Sequence, residues 1–139
     1  MIVVLDANAL LVSISKKSIY RPILDSLING EFELVLSNEI LSEYVEIVER
    51  KTNSVVANNI AEMLLNLDNL NKIEVYFKWK LIKQDPDDDK YTDAAIVGAA
   101  DFIVSNDQHF QILKSIDFPR VNVVGIEEFL DLILEKTKE

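Results

Sequence analysis

DPDDDKYTDAAIVGAADFIVSND, residues 85–107, decides how this chain reads. Asp85, Asp87, Asp88, Asp89 and Asp93 crowd into nine positions, followed by an alanine-rich apolar run and a short hydrophobic piece, Phe102-Ile103-Val104, that leads to Asp107. The alanine-rich run predicts a helix over about 89–100, able to pack closely on a sheet because its side chains are small. In such a helix Asp89 and Asp93, spaced i and i+4, share a face. Acids at a helix start are favoured by the macrodipole and by the free N–H groups there, so Asp87 and Asp88 read as capping and solvated residues. Asp107 is different. It follows a buried-looking strand, where α/β folds place their ligands.

Working outward, Ile2-Val3-Val4-Leu5 is a continuous apolar run of strand length that stops at Asp6. Such runs mark parallel strands buried on both faces. Asp6 either caps the helix that begins near Ala9 or serves a site, and the two readings stand level. Residues 19–29 share an apolar face and end at Gly30, a helix stop. Phe32–Leu36 reads as a second strand, with Ser37 capping the helix NEILSEYVEIVERK. Its stripe is Ile40, Leu41, Tyr44, Val45 and Val48, and Glu43 is the acid closest to that buried side. A further amphipathic helix is expected over about 54–67, a third strand at 73–77, a fourth at 102–105, a short helix at 108–114, a fifth strand at 121–124 and a terminal helix at 126–135. Strands alternating with helices indicate one α/β domain over residues 1–139, with a largely parallel sheet of about five strands and helices on both faces.

Composition narrows the function classes. The chain has 139 residues, 49% of them hydrophobic, with three Gly and three Pro, which fits a folded core and excludes disordered or fibrous classes. There is no cysteine, hence no disulfide framework or zinc–thiolate site, and a reducing cytoplasm is the expected location. MIVVLDANALLVSI lacks a basic leader and is interrupted by Asp6, and no apolar run reaches the ~18 residues a membrane span needs. The expected protein is soluble, with no membrane partner. A net charge of −10 argues against a non-specific nucleic-acid binder. It does not argue against a nuclease whose divalent cations supply the local positive charge. Trp79, among Lys78, Lys80 and Lys83, reads as a core or interface residue before a base-stacking one.

Several motifs fail on inspection. Asp85-x-Asp87-x-Asp89 imitates the start of an EF-hand loop, but Lys90 stands where the loop needs Gly and Ile96 where it needs Glu. No G-x-G-x-x-G, Walker A or G-x-S-x-G sequence is present, and His109, the single histidine, reads as a surface residue. What is left is acids. Asp6, the acids around Asp89, and Asp107 all fall at carboxyl ends of parallel strands or at the starts of the helices that follow, so they gather on one sheet edge, within reach of Glu43. Two carboxylates about 4 Å apart repel by about 4 kcal/mol at an effective dielectric of about 20. A gathered cluster must therefore take up protons or a hard cation, and all-oxygen ligation suits Mg²⁺ or Mn²⁺.

VLDANALLVS at residues 4–13, LSNEILSEYVEIV at 36–48 and the stretch 85–107 together resemble PIN-domain proteins, specifically the VapC-like ribonuclease branch that supplies toxins of toxin–antitoxin modules. The resemblance runs essentially end to end. It implies a three-layer α/β/α sandwich and an acidic site that binds Mg²⁺ or Mn²⁺ and cleaves RNA. It carries the family's acids onto Asp6, Glu43 and Asp107, with Ser105 where many members have Thr. For the third acid the family spacing selects Asp89, with Asp93 as an auxiliary ligand one turn further on. The resemblance further implies an RNA substrate, a cognate antitoxin for the toxin role, and a homodimer. Two rivals stand beside the ribonuclease: a degenerate PIN domain that binds RNA or protein without cleaving, and a metal-dependent phosphatase or DNA nuclease on a similar sheet.

Overall fold

A computed structural model describes residues 1–82 and 88–138. Asp85 and Asp87, two of the acids singled out above, lie outside the described residues. Five strands form one sheet: β1 (Ile2–Leu5), β2 (Glu33–Leu36), β3 (Leu70–Lys72), β4 (Phe102–Val104) and β5 (Val123–Val124). Their order is β3-β2-β1-β4-β5, and every neighbouring pair is parallel. The helices flanking this sheet are α1 (Ala7–Ile14), α2 (Arg21–Ile28), α3 (Asn38–Lys51), α4 (Ser54–Leu65), α5 (Asp89–Val97) and α6 (Ile126–Lys138), with a 3₁₀ helix at Gln108–Ser115. The α/β/α sandwich expected from the alternation is the architecture found. Among the described residues no helix is long and apolar enough to cross a membrane.

The strands are where the continuous apolar runs fall. Val3, Val4, Leu5, Leu34, Val35, Leu36, Ile103 and Val104 are fully buried, as expected for strands covered on both faces. Phe129 of α6 fixes the terminal helix by edge-on ring contacts with Phe32 and Phe102, at centroid distances of 5.2 and 5.8 Å.

The third strand departs from expectation. Residues 73–77 have the composition of a strand, yet the ladder pairs Leu70, Asn71 and Lys72 with Leu34, Val35 and Leu36. The partner sets this limit. β2 ends at Leu36 because Ser37 turns to cap α3, its side chain accepting from the Ile40 N–H. The Ile73 N–H donates to the Leu36 carbonyl at 2.9 Å, and beyond it no β2 residue remains to pair. Tyr76 and Phe77 are consequently exposed.

α5 packs on β1, β2 and β4, and Gly98 at its end permits the closest approach. A Cβ there would lie 2.7 and 2.8 Å from the two Val35 methyls and 3.1 Å from the Ala94 carbonyl. Val35 is a β-branched residue fixed in a central strand, so it has little freedom to yield. We expect Gly98→Ala to destabilise the fold by ~1–3 kcal/mol despite its better helix propensity, read as a lower denaturant midpoint. An unchanged or raised midpoint would show that the sheet can move aside.

Candidate functional site

Strand order reverses around β1: the chain passes from β1 to β2 on one side, while β4 lies on the other. In open parallel sheets the crevice beyond the carboxyl ends at such a reversal is where ligands bind. Asp6 follows β1 directly, and the segment Ser105-Asn106-Asp107 follows β4.

Asp6 is 7% exposed and does two jobs. It is the N-cap of α1, its Oδ1 accepting from the Asn8 N–H at 3.0 Å, while Oδ2 accepts from the Ser105 hydroxyl at 2.5 Å. The same Ser105 oxygen accepts the Asp107 N–H at 3.0 Å, so one hydroxyl ties the two strand ends together. Burial pushes the Asp6 carboxyl above its ordinary value. The Ser105 and Asn8 hydrogen bonds pull it back, and the charges of Asp107 and Glu43 push it further up. The cap reading of Asp6 is the one these hydrogen bonds show.

Glu43 reaches this place from α3 and is gripped from α5, accepting from the Lys90 ammonium and from the Tyr91 hydroxyl. The Tyr91 oxygen in turn accepts the Ala7 N–H at 3.2 Å, next to Asp6. Tyr44, buried one residue after Glu43, donates its hydroxyl to the Leu5 carbonyl at 2.5 Å. Two tyrosines thus staple α3 and α5 to the end of β1. Burial, foremost, raises both phenols well above their ordinary value, which keeps them protonated donors.

Asp107 caps the 3₁₀ helix, its Oδ1 accepting the His109 N–H at 2.9 Å. The His109 Nδ1 lies 3.3 Å from Asp107 and 3.4 Å from Asp88. One ligand atom each from Asp88, Asp107 and His109 fall within 4.8 Å of one another, the one such trio among the described residues. His109 is exposed, as expected of a surface residue, and lies against these two acids. Asp88 occupies the N-cap position of α5 without making a side-chain cap hydrogen bond, and its side chain is only 13% exposed. It neither caps nor is solvated.

Asp89 and Asp93 face another neighbourhood. Asp89 Oδ1 accepts the Ile82 N–H at 2.9 Å, and Asp93 Oδ1 accepts the Trp79 N–H at 3.1 Å, so the pair pegs the segment 79–82 onto α5. Asp93 is buried, which raises its carboxyl. The Trp79 N–H lowers it, Asp89 raises it, Lys78 lowers it and Glu39 raises it. Asp89, Asp93, Glu39 and Lys78 line a cleft of about 480 Å³ that Lys90 also borders. Trp79 is half-buried and packs edge-on at 4.8 Å against Phe77, which is itself exposed.

The family model described as PIN domain matches residues 2–109, a span that begins with β1 and includes Asp6, Glu43, Asp88 and Asp107. The chain belongs to the PIN-domain family. Comparison with curated proteins gave no match. Among solved structures, this PIN domain is similar to a chain of VapBC2 from Rickettsia felis bound to a DNA fragment from their promoter. The TM-score is 0.61 and the identity 19%, over 90% of this chain and 98% of that one. At that identity the likeness concerns the fold.

The donors gathered at this PIN domain's strand ends fit a divalent cation. They are the Asp88 and Asp107 carboxylate oxygens, which suit hard cations, with the His109 imidazole beside them, a ligand type that softer divalent metals favour. The sequence reading missed Tyr44, Lys90 and Tyr91. Tyr44 was hidden in an apolar stripe, and Lys90 and Tyr91 lay inside the acidic stretch whose aspartates drew attention.

Proposed function

We propose that this PIN domain is a Mg²⁺- or Mn²⁺-dependent endoribonuclease that hydrolyses RNA phosphodiester bonds, acting as the toxin of a toxin–antitoxin module. The observation that carries this reading is the placement of Asp6 and Asp107 directly after β1 and β4, joined through the Ser105 hydroxyl, with Glu43 held by the Tyr91 hydroxyl that also accepts the Ala7 N–H beside Asp6. Asp6, Glu43 and Asp107 are the proposed ligands, and Asp88 is preferred to Asp89 as the fourth acid because it meets Asp107 and His109. Asp89 and Asp93 border the neighbouring cleft and hold its wall. When bound, a divalent cation lowers the pKa of a coordinated water and neutralises charge on the phosphoryl and leaving oxygens. The protein's part is placement. Ser105 orients Asp6 against Asp107, while Tyr91 orients Glu43.

Likeness to a chain of the VapBC2 assembly, with the toxin-branch resemblance of the sequence, supports an antitoxin partner. Such a partner would most simply block the site by placing an Arg or Lys among the acids. A homodimer is proposed on the resemblance alone, and a monomeric mass in solution at micromolar concentration would remove it. Assaying purified protein on RNA, single-stranded DNA and a small phosphate ester, with Mg²⁺, Mn²⁺ or chelator, tests the activity. Cleavage of RNA in cation only is expected. Binding of RNA without cleavage in either cation would favour the non-catalytic reading.

Metal removal provides a second test. A cation that binds only the assembled site stabilises it by mass action and relieves carboxylate repulsion. The melting temperature at neutral pH should be several degrees higher in millimolar Mn²⁺ than in chelator, about 2.7 kcal/mol being available when the cation is at 100 times its Kd. Superimposable melting curves would count against a gathered site.

A further inference from the structure

Both Glu43 carboxylate oxygens are taken in the protein as it stands, Oε2 by the Lys90 ammonium and Oε1 by the Tyr91 hydroxyl. The Lys90 and Glu43 side chains are 15% and 22% exposed, so the pair is largely shielded from water and much more than a surface ornament. The ammonium also lies 5.9 Å from the Tyr91 ring centroid, over the same phenol that fixes the other oxygen. A divalent cation needs Glu43 oxygen at ~2.0–2.1 Å, and an ammonium already in contact with that carboxylate both blocks the approach and repels the charge.

Resting on the nuclease reading above, we propose that Lys90 is a positioning residue, an internal cation that keeps Glu43 in place while the site holds no metal and leaves the carboxylate when a divalent cation binds. It has somewhere to go. Lys90 borders two clefts that Glu39 and Asp93 also line, with Asp89 lining one; Lys78 lines both and pairs with Glu39, and Lys80 lines one, so the acids left to receive the ammonium are Asp93 and Asp89. A rotation about its side-chain bonds exchanges the Glu43 contact for that second acidic neighbourhood while Tyr91 keeps its hold on Oε1. Lys90 therefore opposes metal binding and, in the absence of metal, offsets the repulsion among Asp6, Glu43 and Asp107.

The test is calorimetric titration of the full chain with Mn²⁺, using wild type, Lys90→Met, Lys90→Gln and Lys90→Arg. Lys90→Gln keeps a hydrogen-bond donor for Glu43 without the charge, so it remains informative if Lys90→Met folds poorly. Loss of the charge should tighten Mn²⁺ binding at least tenfold. It should also lower the melting temperature in chelator, widening the gap between chelator and Mn²⁺. Lys90→Arg, which restores a cation, should bind Mn²⁺ much as the wild type does. A lysine with only a structural role predicts the reverse for Lys90→Met and Lys90→Gln: a loosened Glu43 and unchanged or weaker Mn²⁺ binding. That result, with the wild type binding Mn²⁺, overturns the proposal and leaves the nuclease reading standing. If no form binds Mn²⁺ at millimolar concentration, the metal site itself is wrong and the proposal falls with it.

Discussion

Asp6→Asn is expected to reduce RNA cleavage to background while making the metal-free protein at least as stable as before. The two effects have one cause. Asp6 is buried, and the charges of Asp107 and Glu43 add to that burial in raising its carboxyl, so its ionised form raises the energy of the empty site and is what a cation would seek. Asn keeps an oxygen for the Asn8 N–H, so the cap on α1 survives. The sign of the pH dependence follows. Burial raises the Asp6 carboxyl above its unfolded value, so the folded state binds more protons than the unfolded state between those two values, and stability falls as pH rises through that window. Below the ordinary carboxylate range Asp6 is protonated in both states and the penalty is gone. Melting in chelator should therefore favour Asp6→Asn over wild type at neutral pH, with the difference shrinking as pH falls through the raised value. Mn²⁺ should reverse the order at neutral pH. A mutant that melts well below wild type in chelator at neutral pH would mean that Asp6 is chiefly structural.

What the sequence could reveal depended on whether a residue's role is local. β1 and β4 are legible as uninterrupted apolar runs, and β2 as one broken only by Glu33 at its start, because a strand covered on both faces has little polar side to show. Asp6 and Asp107 are legible for the same reason, as the first charges after such runs. The false strand at 73–77 was locally sound, and it failed because β2 stops at Leu36, a fact about its partner. The roles of Tyr44 and Tyr91 rest on hydroxyls that cross to Leu5, Ala7 and Glu43, and no periodicity marks a phenol as a staple rather than a core ring. His109 belongs to the same class. A lone histidine on a short helix carries no sign that Asp88 waits across from it.

The choice of fourth acid is a matter of one residue's rotation about a helix axis, about 100° per residue. The family spacing favours Asp89, and the helix places Asp89 and Asp93 on one face, as i and i+4 require. That face meets segment 79–82, where both carboxylates accept backbone N–H groups, while the preceding residue, Asp88, meets Asp107 and His109. Asp88→Asn is therefore expected to abolish cleavage or cut it to a trace, with a smaller loss of stability in chelator than Asp89→Ala, because Asn keeps an oxygen at the same place. Asp89→Ala should do the opposite. It strands the Ile82 N–H and removes a charge-assisted hydrogen bond, costing about 1–3 kcal/mol in chelator, yet cleavage by the folded fraction should remain measurable. Asp93→Asn keeps an acceptor for the Trp79 N–H and relieves a buried charge, so it should melt no lower than wild type and retain activity. Cleavage in Mn²⁺ and melting in chelator, measured on all three, separate the two faces of the helix. If Asp89→Ala is folded but dead and Asp88→Asn cleaves normally, the family spacing is right and the cation lies on the cleft side of α5.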